Sequence, residues 1–358
     1  MKHFISICLC ILCFAGCRVA PKDSDLLIIP VDVRQNSPVK LSEIAENIKK
    51  IELETSDECL VGRIMQVLCV DDRIYVSDAQ GGTRIHVFDL SGKFLFAINK
   101  RGQGPGEYLM INGITADTVN KHLYVASWGN KIIRYNLDDG SFIDELTNLS
   151  SESISFNNDF LHAFLVDMAR QIEENKYITT TIMVRYNRNL QPIDTIEIKK
   201  VILNRVTGTI FPGMDFISQD NQNNMFVYYP VLLNEPVARD TLYILNENQL
   251  KPYAKLKFSD ENNTQRNKSI YSITRTSNLL IVEYVSLSDR EKRYFCCDFK
   301  SKTGKNMLGG FLDDVYNTGL AEIRLLNNDS FYFVKEVEDV PDLYNIPNPV
   351  LYIGKLKD

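Results

Sequence analysis

Short runs of apolar and β-branched residues alternate with turn-forming residues along most of the chain, and this spacing predicts strands. Four such runs occupy residues 63–70, 73–77, 83–89 and 93–99. The turns between them are rich in Asp, Gly and Ser, which favour tight reversals of the backbone. The pattern predicts four consecutive antiparallel strands. The chain has no long stretch of helical periodicity, so a parallel α/β fold is not expected.

The four-strand pattern then repeats. A second copy follows at an offset of about 48 residues, where Leu123-Tyr124-Val125 corresponds to Ile74-Tyr75-Val76. A fainter third copy carries Val184-Arg185-Tyr186-Asn187, which corresponds to Ile133-Arg134-Tyr135-Asn136. Four-stranded units repeated roughly every 45 to 50 residues are typical of β-propellers. We therefore predict an all-β, six-bladed β-propeller of four-stranded antiparallel blades, whereas a repeat of about 43 residues would give seven blades.

A propeller ring must close, commonly through a strand from one end of the chain that completes the blade at the other end. Residues 48–53 alternate between apolar and polar side chains and predict such a strand. We expect this segment, alone or together with residues 26–33, to join the blade that contains residues 350–356. Apolar residues at helical spacing also predict about two turns of helix before this strand: Leu41, Ile44, Ala45 and Ile48.

The first residues have the pattern of an export signal. Lys2 precedes an apolar run over residues 4–14, which is too short for a mature transmembrane helix. The run ends in Phe14-Ala15-Gly16-Cys17, and small residues directly before a cysteine resemble the lipobox of bacterial lipoproteins. That resemblance implies cleavage after Gly16 and lipidation of Cys17. The alternative is an ordinary signal peptide that happens to contain cysteine.

These patterns divide the chain into three parts. We expect a lipoprotein signal peptide over residues 1–16, a tether over residues 17–25 and a single β-propeller domain over residues 26–358. A multiply acylated cysteine is a stable membrane anchor. The expected location is therefore the cell envelope, lipid-anchored at the outer membrane, with the side that it faces left open.

Charge and cysteine content narrow the range of partners. The formal net charge is −6, and removal of residues 1–16 takes away Lys2 and no acidic residue. With no long basic run, nucleic acid is not expected as a partner.

Four cysteines follow Cys17, and we interpret them as small buried side chains and not as a metal site, because no CxxC motif occurs. They are Cys59, Cys69, Cys296 and Cys297.

The first repeat also resembles a known family. The segments Ile74-Tyr75-Val76-Ser77-Asp78, Arg84-Ile85-His86-Val87-Phe88-Asp89 and Gly102-Gln103-Gly104-Pro105-Gly106-Glu107 are similar to NHL-type repeats. Together with the lipobox, they resemble the six-bladed β-propeller lipoproteins of Bacteroidota over roughly residues 50 to 145. In the next blade Ala126-Ser127-Trp128 replaces the usual Asp. The resemblance implies the fold and the lipid anchor and no single activity.

Propeller topology indicates where a ligand would bind. Connections between blades lie on the same face as the loops between the second and third strands of each blade. The sequence therefore places five candidate ligand-binding residues on one rim: Trp128, Arg101, Gln103, Glu107 and Asp78. Trp128 is the only tryptophan, and exposed aromatic side chains often anchor carbohydrates or peptides. Alternatively, the glycines form only a tight turn between blades, with Arg101 and Glu107 tying neighbouring loops.

Enzymatic motifs are scarce. After the signal only three histidines remain, His86, His122 and His162, and none has metal-ligand spacing. Neither HExxH nor GxSxG occurs. We expect no catalytic residue, metal or cofactor, and we favour a lipid-anchored binding or scaffold protein for a carbohydrate, peptide or protein partner. The alternative is a lyase or hydrolase at the central channel, indicated by histidines and carboxylates converging there.

Overall fold

The chain folds into six four-stranded sheets arranged around a central channel, so the prediction of a six-bladed β-propeller is confirmed. The computed structural model describes residues 26–79, 83–128, 130–206, 213–231, 235, 238–260, 267–327, 329–337 and 346–357. The N-terminal described part contains β1 (Leu27–Val31), α1 (Leu41–Ile44) and β2 (Ala45–Glu52).

The first two blades match the predicted runs to within about two residues. Their strands are β3 (Ile64–Val70), β4 (Arg73–Asp78), β5 (Ile85–Asp89), β6 (Phe94–Ile98), β7 (Ile111–Asp117), β8 (His122–Ser127), β9 (Lys131–Asn136) and β10 (Phe142–Thr147). In each blade the second and third strands are almost entirely buried, because neighbouring blades cover both faces of the sheet. This two-sided burial explains why these strands show continuous apolar runs.

The other four blades follow in chain order. The third blade contains β11 (Ser151–Asn157), β12 (Phe160–Glu173), β13 (Lys176–Tyr186) and β14 (Pro192–Leu203). The fourth contains β15 (Ile217–Gln219), β16 (Met225–Val227), β17 (Thr241–Asn246) and β18 (Gln249–Phe258). The fifth contains β19 (Lys268–Arg275), β20 (Leu279–Ser286), β21 (Lys292–Asp298) and β22 (Thr303–Leu308). After a hairpin of β23 (Phe311–Asp313) and β24 (Gly319–Ala321), the sixth contains β25 (Arg324–Leu325), β26 (Ser330–Lys335) and β27 (Val350–Leu356).

The sequence repeat reflects a repeated ion pair. Arg134 on β9 donates from Nε to Asp144 on β10 at 2.7 Å, and Arg185 on β13 donates from Nε to Asp194 on β14 at the same distance. Both arginines lie on the third strand of a blade and pair with the fourth. The similar motifs around these two residues are therefore structurally equivalent.

The ring closes through the N-terminal segment. Strand β2 pairs antiparallel with β27 and supplies the fourth strand of the sixth blade, as predicted for residues 48–53. Ile51 of β2 is 2% exposed and packs in the cluster that joins the sixth and first blades. The predicted helix is shorter than expected. Helix α1 has a single turn, because the ladder with β27 already begins at Ala45.

The second part of the closure prediction is wrong. Residues 26–33 do not join the sixth blade, since β1 pairs parallel with β18 and becomes a fifth strand of the fourth blade. The outer edge of β27 is already occupied by β2, whereas the outer edge of β18 is free to accept a strand. Ile29 and Val31 are buried there in the apolar cluster between the fourth and fifth blades.

The two faces of the ring follow from strand direction. We call the upper face the side that carries the connections between blades and the loops between second and third strands. Strand β1 runs parallel to β18, which leads towards the connection to β19 on the upper face. The chain therefore enters β1 from the lower side. Within the described residues, no helix is long and apolar enough to cross a bilayer.

All four cysteines after Cys17 are free thiols. The adjacent Cys296 and Cys297 point to opposite sides of the fifth blade, as the strand geometry predicts. Cys296 packs against the sixth blade, and Cys297 packs against the fourth. Burial raises the pKa of Cys69 to about 12, so this thiol remains protonated at neutral pH.

Candidate functional site

The glycine-rich loop over residues 101–107 connects the first blade to the second and is held together by its own acidic residue. The Glu107 carboxylate accepts the backbone N–H of Gly104 at 2.8 Å. A Cβ on Gly102 would lie 2.0 Å from Glu107 Oε2, so the backbone comes close only because this residue is glycine. The geometry favours a structural role for Glu107 within the loop.

The same loop is anchored to the second blade. The N–H of Gly106 donates to Glu145 Oε2 at 3.0 Å, and the hydroxyl of Tyr135 donates to the Gly106 carbonyl at 2.7 Å. Lys131 Nζ donates to the Gly104 carbonyl at 2.7 Å and pairs with Glu145 at 3.2 Å. The loop is thus a rigid connector, which agrees with the tight-turn interpretation of its glycines.

Trp128 and two residues of the loop form an accessible rim on the upper face. Trp128 is 55% exposed, and its backbone N–H donates to the Met110 carbonyl at 2.9 Å. The side chains of Arg101 and Gln103 are also exposed, and the Gln103 carbonyl accepts a hydrogen bond from Lys131. The structure therefore places Trp128 and the glycine-rich loop on the same face. Ligand binding by Trp128, Arg101 and Gln103 stays a prediction.

Asp78 has a different environment. It is 3% exposed, its Oδ2 accepts the N–H of Gly62 at 3.0 Å, and it lies 3.9 Å from His86 Nε2. This buried carboxylate makes its contacts within the first blade, and ligand binding by Asp78 stays a prediction. Residues 80–82, which belong to the same predicted turn, lie outside the described residues.

The structure shows a second feature that sequence reasoning missed. Residues 213–216 lie at the upper end of the channel and contact the inner strands of three other blades before β15 begins. The N–H of Gly213 donates to the Asn112 carbonyl at 2.7 Å, and Ser153 Oγ donates to the Met214 carbonyl at 2.8 Å. Gln66 Nε2 donates to Asp215 Oδ1 at 3.2 Å. This connection therefore brings a carboxyl group to the channel mouth.

Asp215 is exposed to the solvent of the channel, but atoms of the surrounding blades lie close around its carboxyl group. Burial raises the pKa of Asp215 to about 7, against an opposing effect of the positive charge on Arg324. Arg324 belongs to β25 of the sixth blade, and its Nη1 donates to the Met65 carbonyl at 2.8 Å. A titratable acid and an arginine thus lie near each other at the channel mouth.

Arg324 also lines a cavity of about 270 Å³ between the sixth and first blades. We call this space the Arg324 cavity. Its lining residues are Ile64, Leu320, Glu322, Arg324, Tyr332, Val334 and Lys335. Ile64, Arg324 and Lys335 lie at the upper ends of their strands, so the cavity belongs to the same face as Trp128.

A further buried polar network joins the third and fourth blades. The hydroxyl of Tyr229 donates to Glu152 on β11, and burial raises the pKa of Glu152 to about 7. Lys199 on β14 pairs with Glu235 at 3.0 Å and lies 4.5 Å from the centre of the Tyr229 ring. These contacts attach the loop after β16 to the third blade.

The histidines lie away from the channel mouth. His86, His122 and His162 belong to second or third strands of their blades, and burial lowers the pKa of His162 to about 4. Across the described parts of the chain, no group of three histidine, cysteine, aspartate or glutamate side chains could hold a metal ion. The acidic and basic groups at the channel mouth are therefore not accompanied by a histidine.

One sequence signal could have indicated the channel-mouth segment. Pro212-Gly213 interrupts the strand pattern and is followed by Met214 and Asp215, so an acid stands directly after a turn signal. No comparable signal marks Arg324, because β25 has only two residues. Its position depends on the packing of the sixth blade against the first.

The chain is similar in fold to a protein of known crystal structure. The crystal structure of a Bacteroides fragilis NCTC 9343 protein described as exported is similar over 92% of this chain and 100% of that chain, with 18% identity and a TM-score of 0.65. The WD40 domain of Neurospora crassa Pan2 has 10% identity and a TM-score of 0.43, over 82% of this chain and 76% of that chain. The propeller domain of Myceliophteria thermophila Cps50 (Swd1) has 12% identity and a TM-score of 0.44, over 86% of this chain and 99% of that chain.

The curated proteins contain no match to this sequence. At 18% identity, the likeness to the Bacteroides fragilis structure extends to the fold alone. A family model described as a domain of unknown function matches residues 26–351, which is most of the chain. The protein therefore belongs to the DUF4934 family.

Proposed function

We propose that this protein is a lipid-anchored binding or scaffold module of the cell envelope, which holds a carbohydrate, peptide or protein ligand on the upper face around Trp128. The single observation that carries the proposal is the exposure of Trp128 on a fixed backbone. More than half of this residue is exposed, while its backbone N–H donates to the Met110 carbonyl of the neighbouring connection. A tryptophan side chain has only two χ angles, so ordering it on binding costs little conformational entropy.

The proposed lipid anchor is compatible with a ligand site on the upper face. Small residues before Cys17 support lipidation at that cysteine, and the similar Bacteroides fragilis structure belongs to a protein described as exported. The chain enters β1 from the lower side of the ring. A tether over residues 17–25 would hold the lower side towards the membrane and leave the upper face free for a ligand. The resemblance of roughly residues 50 to 145 to NHL-type repeats and to Bacteroidota propeller lipoproteins supports the same interpretation.

Substitution at Trp128 tests this function. We expect Trp128→Ala to weaken capture of the native envelope ligand by about 10- to 30-fold, the loss typical of an aromatic anchor. The assay is affinity purification of the tagged lipoprotein from its own envelope, followed by titration of the captured component. Val119→Ala is the matched control, because Val119 is 70% exposed on a lower-face turn of the same blade. Equal capture by wild type and Trp128→Ala would contradict the proposal.

The anchor needs a separate experiment. Cys17→Ser removes the sulfur that lipid would occupy, so the variant should leave the membrane fraction while keeping the same thermal unfolding temperature. A Cys17→Ser protein that stays in the membrane fraction after salt washing would contradict lipid anchoring and would leave the Trp128 result unaffected.

A further inference from the structure

The Arg324 cavity lies on the upper face, at a different position around the ring from Trp128. Its lining contains more basic than acidic side chains. Two basic side chains line it, Arg324 and Lys335, together with one acid, Glu322. Glu322 is already bound by Lys292 at 2.6 Å, and the same lysine pairs with Glu283 at 2.8 Å. The acid in the lining is therefore engaged outside the cavity and does not neutralise either basic residue.

Neither basic side chain has a carboxylate partner among the residues that the structure describes. Arg324 donates to the Met65 carbonyl at 2.8 Å, and Lys335 Nζ donates to the Leu320 carbonyl at 2.7 Å. No described carboxylate lies within 4.0 Å of either group. Arg324 also has a side-chain hydrogen bond with Tyr332. A guanidinium has five donors, so these two contacts still leave donors free.

Asp215 does not supply a fixed counter-charge. It lies close enough for Arg324 to influence its titration, but not within ion-pair distance. With a pKa raised to about 7, Asp215 is partly protonated at neutral pH. Arg324 is exposed to the solvent of the channel, and the charge of Glu283 acts on it without forming an ion pair. An anion bound beside Arg324 would therefore gain a direct charge-assisted hydrogen bond that no described carboxylate makes.

We propose that the Arg324 cavity binds the carboxylate group of a small organic ligand, with Arg324 and Lys335 as its recognition residues. The planar guanidinium matches a carboxylate in two parallel hydrogen bonds, and the ammonium adds a second positive charge. Ile64, Leu320 and Val334 supply apolar walls for the carbon skeleton. This site does not depend on Trp128, so the two proposals can fail separately.

The size of the cavity restricts the ligand. A volume of about 270 Å³ lies just below the range of roughly 300–1,000 Å³ that is usual for drug-sized ligands. The occupant is therefore either a small free acid or a single acidic unit of a longer chain. Both sources present the same carboxylate to Arg324.

Calorimetric titration of the whole mature protein tests the proposal. The probes are acetate, succinate, benzoate and galacturonate, with acetamide and galactose as neutral counterparts, and inorganic phosphate as a tetrahedral anion. We expect at least one carboxylate to bind and its neutral counterpart not to bind, with weaker binding at high salt. Tetragalacturonate distinguishes the sources: tighter binding than galacturonate indicates an acidic unit of a chain, and equal or weaker binding indicates a small acid.

Variants connect the binding to the cavity. Arg324→Gln should weaken carboxylate binding by about 10- to 100-fold, the effect of losing a hydrogen bond to a charged group. Lys335→Gln should weaken it by a smaller factor and provides a second test if Arg324→Gln fails to fold. The matched control is Lys355→Gln, which removes the same charge from a half-exposed surface pair in the same blade.

Three results would overturn the proposal. The first is that no carboxylate probe binds the wild-type protein. The second is that phosphate or the neutral counterparts bind as well as the carboxylates. The third is that carboxylate binding survives unchanged in folded Lys335→Gln and Arg324→Gln proteins. Any of these results would leave the Trp128 experiment unaffected.

Discussion

Replacement of Glu152 by glutamine should make the protein more stable at alkaline pH and leave its stability at acidic pH nearly unchanged. Glu152 is 3% exposed at the start of β11 and accepts a hydrogen bond from Tyr229. Its second oxygen finds no hydrogen-bond partner among the described residues. Ionisation therefore places a negative charge in a buried site where one of the two carboxylate oxygens has no hydrogen-bond donor among the described residues.

The sign and size of this change in stability follow from the pKa of Glu152. Burial raises the pKa of Glu152 from 4.5 to about 7, while Tyr229 and the charge on Lys199 oppose this shift. Because the folded pKa is above the unfolded value, the stabilising contribution is fully present below pH 4.5 and is lost as pH rises through 7. At about 1.4 kcal/mol per pH unit, the loss is about 3 kcal/mol. Glutamine cannot ionise, so Glu152→Gln should avoid that loss.

Thermal unfolding at pH 5 and at pH 8 measures this difference. We expect the Glu152→Gln protein to unfold about 4 °C above wild type at pH 8, given the unfolding entropy of a chain of this size. At pH 5 the two proteins should unfold within about 1 °C of each other. Glu174→Gln, at an exposed turn of the same blade, serves as the control. A gain that is the same at both pH values would refute the titration argument.

Two further substitutions test the ring. Ile51→Ala should lower the free energy of unfolding by about 2 to 5 kcal/mol, because Ile51 is buried where β2 closes the ring. The half-exposed Ile28 is the control and should tolerate alanine. Equal effects of the two substitutions in urea denaturation would contradict closure by β2. Gly106→Ala should cost about 2 to 4 kcal/mol, because φ is +67° and a Cβ would lie 2.7 Å from the Phe142 ring. Gly319→Ala is its control, since φ is +82° but no atom lies within 4 Å, and an equal cost at both glycines would show that the Phe142 contact is unimportant.

The blades were predictable because their strands repeat and are bounded by turns. Arg134 and Arg185 stand in similar motifs because both pair with an acid on the fourth strand. Residues 26–33 were misplaced because an alternating strand can add to any free sheet edge, and sequence does not show which edge is occupied. Strand β2 had taken the edge of β27, so β1 paired with β18.

The candidate site was predictable only in part. Topology placed Trp128 and the glycine-rich loop on one face, because the order of strands in a blade determines which loops share a side. Asp78 was expected on the same rim but is buried, since its carboxylate turns inwards to Gly62. Asp215 and Arg324 come together from distant parts of the chain, so no local pattern could reveal their proximity.

Fluorescence of Trp128 tests the central claim most directly, because this is the only tryptophan in the protein. At 55% exposure it should emit as a hydrated indole and be readily quenched by acrylamide. Addition of the ligand isolated from the native envelope should shift the emission to shorter wavelength and protect the ring from acrylamide. Binding that leaves both the emission and the quenching of Trp128 unchanged would contradict a ligand site on this part of the upper face.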